Sequence, residues 1–258
     1  MTSQPSEKRF EDFFVEGSYV LLKNYLYNYR CRIRSINRAL AKEPVERILE
    51  VGSGLSPIVT NDDRVVYSEL SFRALRTLKH FNQRGRYVVA DGTKLPFKEG
   101  AFSHTVCSEV LEHVENDQKA IDELARVTQP AGKALITVPH RKFYYAADDR
   151  FVHHFRRYEI AEMAEKIHTA GMALNSTEKV LGPLEKITMF SVVMVFAALQ
   201  RVVGPRGDQP TNPGRVARVV APIFDWCNRA YALLARADAA IMPTSLATVI
   251  LFEAQKEA

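Results

Sequence analysis

At 258 residues and a formal net charge of +5, the chain has room for one sizeable domain plus an extension. Its three cysteines, Cys31, Cys107 and Cys227, stand far apart without paired spacing, which excludes a metal knuckle and a disulfide framework and points to a reducing compartment. The first nine residues carry no apolar h-region, so the sequence reads as cytoplasmic.

The first predicted element is a helix over 18–41, with Leu22, Tyr25, Tyr29, Ile33, Ile36 and Leu40 spaced by threes and fours on one face. Arg30, Arg34 and Arg38 share another face. They are read as the solvated side of a helix that caps a sheet, with an anionic head group or substrate as the alternative. Nucleic acid is not expected, because no binding module accompanies the stripe. Residues 48–54 then run from an apolar strand containing Glu50 into Gly52-Ser53-Gly54, a turn that lets backbone N–H groups approach a ligand.

A second strand over 65–68 ends at Glu69 and a third over 86–90 ends at Asp91-Gly92. A fourth over 101–107 leads into Ser108-Glu109-Val110-Leu111-Glu112-His113-Val114, and a fifth over 134–138 follows the turn 129–132. Helical stretches between them imply parallel pairing, which places the two acids at the sheet edge where open α/β sheets bind ligands. Beyond 139–158 a helix over 159–170 is closed by Gly171, followed by a sixth strand over 172–180 and a last strand over 247–252.

About 65 residues separate these last two strands. Within them 187–199 is free of charge but too short to span a bilayer, and 204–214 is a Pro/Gly loop. The helix after that loop places Arg218, Asp225, Arg229 and Arg236 opposite Val219, Val220, Ile223, Phe224, Cys227, Tyr231 and Leu234, with a bend or restart at Pro222. The insertion is open to three readings: a roof over the site, a homodimer contact, or a hairpin lying in the membrane interface.

In order, Leu49-Glu50-Val51-Gly52-Ser53-Gly54, Ser68-Glu69-Leu70-Ser71, residues 89–97, residues 102–114 and Pro130-Ala131-Gly132-Lys133 resemble the class I S-adenosylmethionine-dependent methyltransferases over roughly 45–181. The resemblance implies an α/β, Rossmann-like, doubly wound and mostly parallel seven-stranded sheet. An N-terminal helical cap at 1–44, a cofactor-binding core at 45–181, a helical insertion at 182–246 and a last strand with the C-terminus at 247–258 complete the expected organisation. It further implies S-adenosyl-L-methionine as cofactor, with Glu50, Gly52 and Gly54 at the methionine end and the turn, Glu69 on the ribose, Asp91 and Gly92 at the adenine, and Cys107, Ser108 and Glu109 bordering the sulfonium.

The chain departs from the pattern after Gly54, where Leu55-Ser56-Pro57 follows and only about ten residues precede the second strand, so the first crossover helix is expected to be short or distorted. Methyl transfer from a sulfonium to a small or lipid-like acceptor needs positioning and dehydration more than a dedicated nucleophile. Histidine is the side chain suited to accept a proton near neutral pH, and His140 and His154 are the candidates for a general base or a positioning group. Asp148, Asp149, His153 and His154 are not read as a metal site, because adjacent histidines on an extended segment point apart. Arg141, Lys142, Arg156 and Arg157 are candidate anion partners for the acceptor. Two other readings are a membrane-associated scaffold without turnover and a nicotinamide-dependent oxidoreductase, the latter disfavoured by Pro57 where that fingerprint wants glycine.

Overall fold

The computed structural model describes residues 26–192 and 215–257, the stretch 215–221 through its backbone alone. The portions of the expected elements at 18–25, 193–199 and 204–214 lie outside the described residues. The sheet comprises β1 (Ile48–Val51), β2 (Val65–Glu69), β3 (Arg86–Val89), β4 (Phe102–Ser108), β5 (Thr128–Pro139), β6 (Met172–Leu181) and β7 (Val249–Lys256), in the order β3-β2-β1-β4-β5-β7-β6. The first five pair in parallel, and β7 runs antiparallel between β5 and β6. β1 is buried along its whole length, as a strand covered on both faces must be, which explains its unbroken apolar character around Glu50.

Helices α1 (Tyr27–Leu40), α2 (Phe72–Phe81), α3 (Asp117–Val127), α4 (Ala147–Phe151) and α5 (Ile160–Thr169) are followed by α6, helical over residues 183–192, and α7 (Arg215–Ile241). One face of the sheet packs Ile36, Leu78 and Ala235 of α1, α2 and α7 over Tyr67, Leu135 and Leu251. The other packs Ile121 and Leu124 of α3 and Met163 and Ile167 of α5 over Val51, Ile136 and Phe252. Local signals set the helix ends: Ser71 Oγ accepts the Ala74 N–H at 3.2 Å, Asn116 Oδ1 accepts the Lys119 N–H at 3.2 Å, and Gly171, at φ 76°, closes α5.

Four features differ from the sequence reading. No helix joins β1 to β2: residues 52–64 form turns and bends, with Ile58 and Val59 buried where a crossover helix would pack. The stretch 129–132 does not precede β5 but lies inside it as an irregularity in the β4 pairing, where the register jumps from Phe102↔Thr128 to His104↔Lys133 and Ala131 adopts φ 60°. α7 continues through Pro222 without the restart that was one of the two expectations there. It also buries Ala232, Ala235 and Ala239 and leaves Ile223, Trp226, Leu233 and Leu234 exposed, so the small side chains and not the large apolar ones face the sheet.

The basic stripe of α1 is not simply solvated, since Arg30 pairs with Asp225 of α7 and Arg38 with Glu178 of β6. Among the described residues no helix is long and apolar enough to cross a membrane.

Candidate active site

A cavity of about 320 Å³ opens at the carboxyl ends of β1, β2 and β4. The strand order reverses there between β1 and β4, the crevice in which open α/β sheets take ligands. Glu50, Gly52, Gly54, Glu69, Asp91, Gly92, Cys107, Ser108 and Glu109 all line it.

Gly52 and Gly54 carry φ values of 70° and 53°. Both N–H groups of Gly52 and Ser53 donate to the Ser68 carbonyl, at 2.8 and 3.2 Å, which folds the turn over the end of β2. A β-carbon on Gly52 would overlap the Val110 side chain. Glu69 Oε2 accepts the Gly54 N–H at 2.9 Å and Oε1 the Ser71 N–H at 3.1 Å, so this acid ties the glycine turn to the start of α2. Asp91 Oδ1 accepts the Thr93 N–H and hydroxyl, both at 2.8 Å, and the side chain stays exposed at the rim.

Glu50 explains how the chain omits a helix. It is 2% exposed, and its two oxygens accept the N–H groups of Ile58 at 2.6 Å and Val59 at 3.0 Å. The hydroxyls of Tyr29 and Tyr67 donate to the carbonyls of Pro57 and Val59 at 2.5 and 2.7 Å. Three side chains thus satisfy backbone groups that a helix would have satisfied internally. Burial raises the Glu50 carboxyl to about 8 against the pull of those two N–H donors.

Across the cavity, Cys107 is buried and its thiol is pushed far above the ordinary range, chiefly by burial, so it stays a neutral wall and not a nucleophile. Ser108 Oγ shares a 2.8 Å hydrogen bond with Thr137 Oγ1, and Arg32 Nη1 of α1 approaches it at 3.4 Å. Glu109 sits at φ 56°, a left-handed conformation uncommon for a side chain of its kind, with Oε1 buried and lacking a hydrogen-bond partner. The buried hydroxyls of Ser53 and Ser56 in the same wall also lack partners. Unsatisfied polar atoms around a glycine-lined cradle fit an elongated ligand that carries hydroxyl, amine and carboxylate groups.

The two candidate histidines separate. His140 does not line the cavity; it is 3% exposed, its Nδ1 donates to the Tyr158 carbonyl at 2.8 Å, and burial lowers its pKa. His154 lines the cavity and donates from Nδ1 to Asp149 Oδ1 at 3.0 Å. Asp149 also accepts from Arg157 Nε at 2.7 Å and from Lys186 Nζ at 2.8 Å. Burial alone would raise its carboxyl, but these three donors hold it well below the usual range. Lys186 reaches Asp148 too, at 2.7 and 2.8 Å, and so joins α6 to α4.

The four expected anion partners are engaged within the protein: Arg141 with Glu159, Lys142 with Glu162, Arg156 with Asp117 and Arg157 with Asp149. Only Arg157 reaches the cavity. Tyr29, expected only as an apolar position of the first helix, also lines the cavity, as do Arg32 of α1 and Glu185 and Met189 of α6, which the sequence did not single out. Arg32 was hidden inside an Arg-x-Arg-x-Arg run read by every fourth residue, and Glu185-Lys186, the charged pair before the apolar run, was the available signal for α6.

A doubly wound sheet with a glycine turn after β1 and acids at the ends of β2 and β3 is the architecture of class I methyltransferases. Residues 49–136 match the family described as Methyltransferase domain. The demethylmenaquinone methyltransferase of Streptomyces avermitilis is 31% identical over 144 residues, covering 53% of this chain and 62% of the relative. An uncharacterised protein of Methanocaldococcus jannaschii is 33% identical over 96 residues, 36% of this chain and 41% of its own. The chain therefore spans less than two thirds of either relative. The complex between the Haloferax volcanii Trm112 methyltransferase activator and a methyltransferase contains a chain that superposes with a TM-score of 0.61 at 14% identity, covering 98% of each chain. Phosphoethanolamine N-methyltransferase 2 of Haemonchus contortus, solved with S-adenosyl-L-methionine, superposes at 0.57 with 16% identity over 96% of this chain and 60% of its own. The chain thus shares the fold of these methyltransferases and carries a methyltransferase-domain match over residues 49–136.

Proposed function

We propose that the protein binds S-adenosyl-L-methionine in the cavity at the β1–β2–β4 edge and transfers its methyl group to a small, apolar acceptor. The observation that carries this reading is the meeting of Gly52, Gly54, Glu69 and Asp91 around one cavity whose far wall holds Cys107, Ser108 and Glu109. The bound cofactor supplies an activated methyl group on a sulfonium. Glu69 offers carboxylate oxygens to vicinal hydroxyls and Asp91 accepts from an exocyclic amine, while the Gly52 turn admits the amino-acid end without a β-carbon in the way.

What remains for the chain is to orient the acceptor and exclude water. Tyr29 and Arg32 from α1 and Glu185 and Met189 from α6 close the side opposite the sheet, which supports reading the start of the insertion as a roof. His154, held by Asp149, is assigned a positioning role on the acceptor side; His140, bonded away from the cavity, is not. An apolar acceptor met at a lipid surface is supported by the exposed Ile187, Phe190, Ile223, Trp226 and Leu233 of α6 and α7, and by the quinone-type acceptor in the name of the Streptomyces relative.

Calorimetry with S-adenosylhomocysteine should show one site per chain, weakened about tenfold or more by Asp91→Ala or Glu69→Ala. Absence of binding overturns the proposal. Transfer of labelled methyl from cofactor to a component of a lipid extract distinguishes an enzyme from a scaffold that retains only the fold.

A further inference from the structure

Glu112 and His113, beside the cofactor cradle, meet His154, to which the proposed function gives only a positioning role. A ligand atom from each of Glu112, His113 and His154 lies within 4.8 Å of the others. Glu112, in the short 3-10 turn after β4, is fully buried, and neither of its carboxylate oxygens has a hydrogen-bond partner. A buried carboxylate in that state is costly unless it holds a proton or a cation.

The surroundings favour the cation. His154 Nε2 lies 3.8 Å from Glu112 Oε1, and its Nδ1 hydrogen is already given to Asp149. That leaves the Nε2 lone pair turned toward Glu112, and a carboxylate behind the imidazole is how proteins fix the tautomer of a metal ligand. The ring of His113 stands 4.7 Å from that of His154, centroid to centroid, so both can serve one ion. The nearby guanidinium of Arg157 is spent on Asp149 and on the His140 carbonyl. Glu109, with its own partnerless buried Oε1, faces the same cavity.

The geometry points to a divalent first-row cation bound by Glu112, His113 and His154, with Glu109 at its open side. Two imidazoles with carboxylate suit Mn²⁺, Co²⁺ or Zn²⁺ better than the all-oxygen preference of Ca²⁺. His153, the sequence neighbour of His154, is exposed, and Glu112-His113, 41 residues earlier than His153-His154, supplies the other ligands through the fold.

Mn²⁺ titrated into the metal-stripped full chain should lose the electron paramagnetic resonance signal of the free ion up to one equivalent. Glu112→Gln and His154→Ala should each weaken that binding about tenfold or more, while His153→Ala leaves it unchanged. Wild-type protein that binds no Mn²⁺ or Zn²⁺ up to about 1 mM, or variants that bind as the wild type does, overturns the inference. S-adenosylhomocysteine calorimetry on the same samples separates the outcomes: retained cofactor binding shows that a variant is folded and leaves the methyltransferase reading standing whether or not the cation binds. If Glu112→Gln and His154→Ala fail to fold, His113→Asn serves in their place with the same expected loss.

Discussion

Gly52 combines a left-handed backbone with a β-carbon position already filled by Val110, so substitution meets two independent obstacles. Gly52→Ala is expected to lower stability by about 1–3 kcal/mol in urea unfolding and to abolish binding of S-adenosylhomocysteine, because the turn must shift to relieve the overlap. Glu50 gives a pH signature. Its folded carboxyl titrates near 8, above the unfolded value, so its contribution is complete below about pH 4 and is lost as pH rises toward and through 8. Wild-type stability minus that of Glu50→Gln should fall across this window by at most about 1.4 kcal/mol per pH unit. Asp149 has the opposite sign: its depressed carboxyl stabilises the fold above about pH 4 and ceases to do so on acidification. A flat difference profile for Glu50→Gln would remove the account of the helix-free connection.

Among elements, the connection from β1 to β2 depends on groups outside itself. Tyr29→Phe strips the partner from the Pro57 carbonyl and should cost about 1 kcal/mol, with weaker cofactor binding because the same loop carries Gly54. Lys186→Met leaves Asp148 and Asp149 buried with one cation fewer and should cost about 3 kcal/mol while freeing α6 from α4. Faster proteolysis near 183–192 would report that release. The sequence showed the strands and the acids at their ends because apolar runs, glycine pairs and end carboxylates are local patterns. It could not show that Glu50 serves residues 58 and 59, since a buried acid in a strand reads alike whether it meets a ligand or a backbone. It placed 129–132 before β5, because a Pro-Ala-Gly sequence signals a turn whether it precedes a strand or bulges within one. It could not orient α7 on the sheet, because large apolar side chains usually mark the buried face, whereas close packing on β6 and α1 admits alanine.

At the scale of the whole molecule, α6, which walls the cavity through Glu185 and Met189, and α7 leave Ile187, Trp226, Leu233 and Leu234 exposed. Trp226 is the only tryptophan of the chain, so its emission should move to shorter wavelength with anionic vesicles if the acceptor is met at a bilayer. An unchanged spectrum alongside a concentration-dependent change in mass would assign this surface to a second copy instead. Omission of the first crossover helix also decides which visitors the crevice welcomes. A helix start there would present a positive dipole end, the feature that draws pyrophosphate in dinucleotide-binding sheets. In its place stand loop amides already claimed by Glu50 and Glu69, with Asp91 at the rim and Glu109 on the far wall. On the proposed function, these carboxylates would disfavour a diphosphate and favour a positively charged sulfur. The proposed preference between the two great nucleotide-like cofactor classes would thereby follow from what this chain left out.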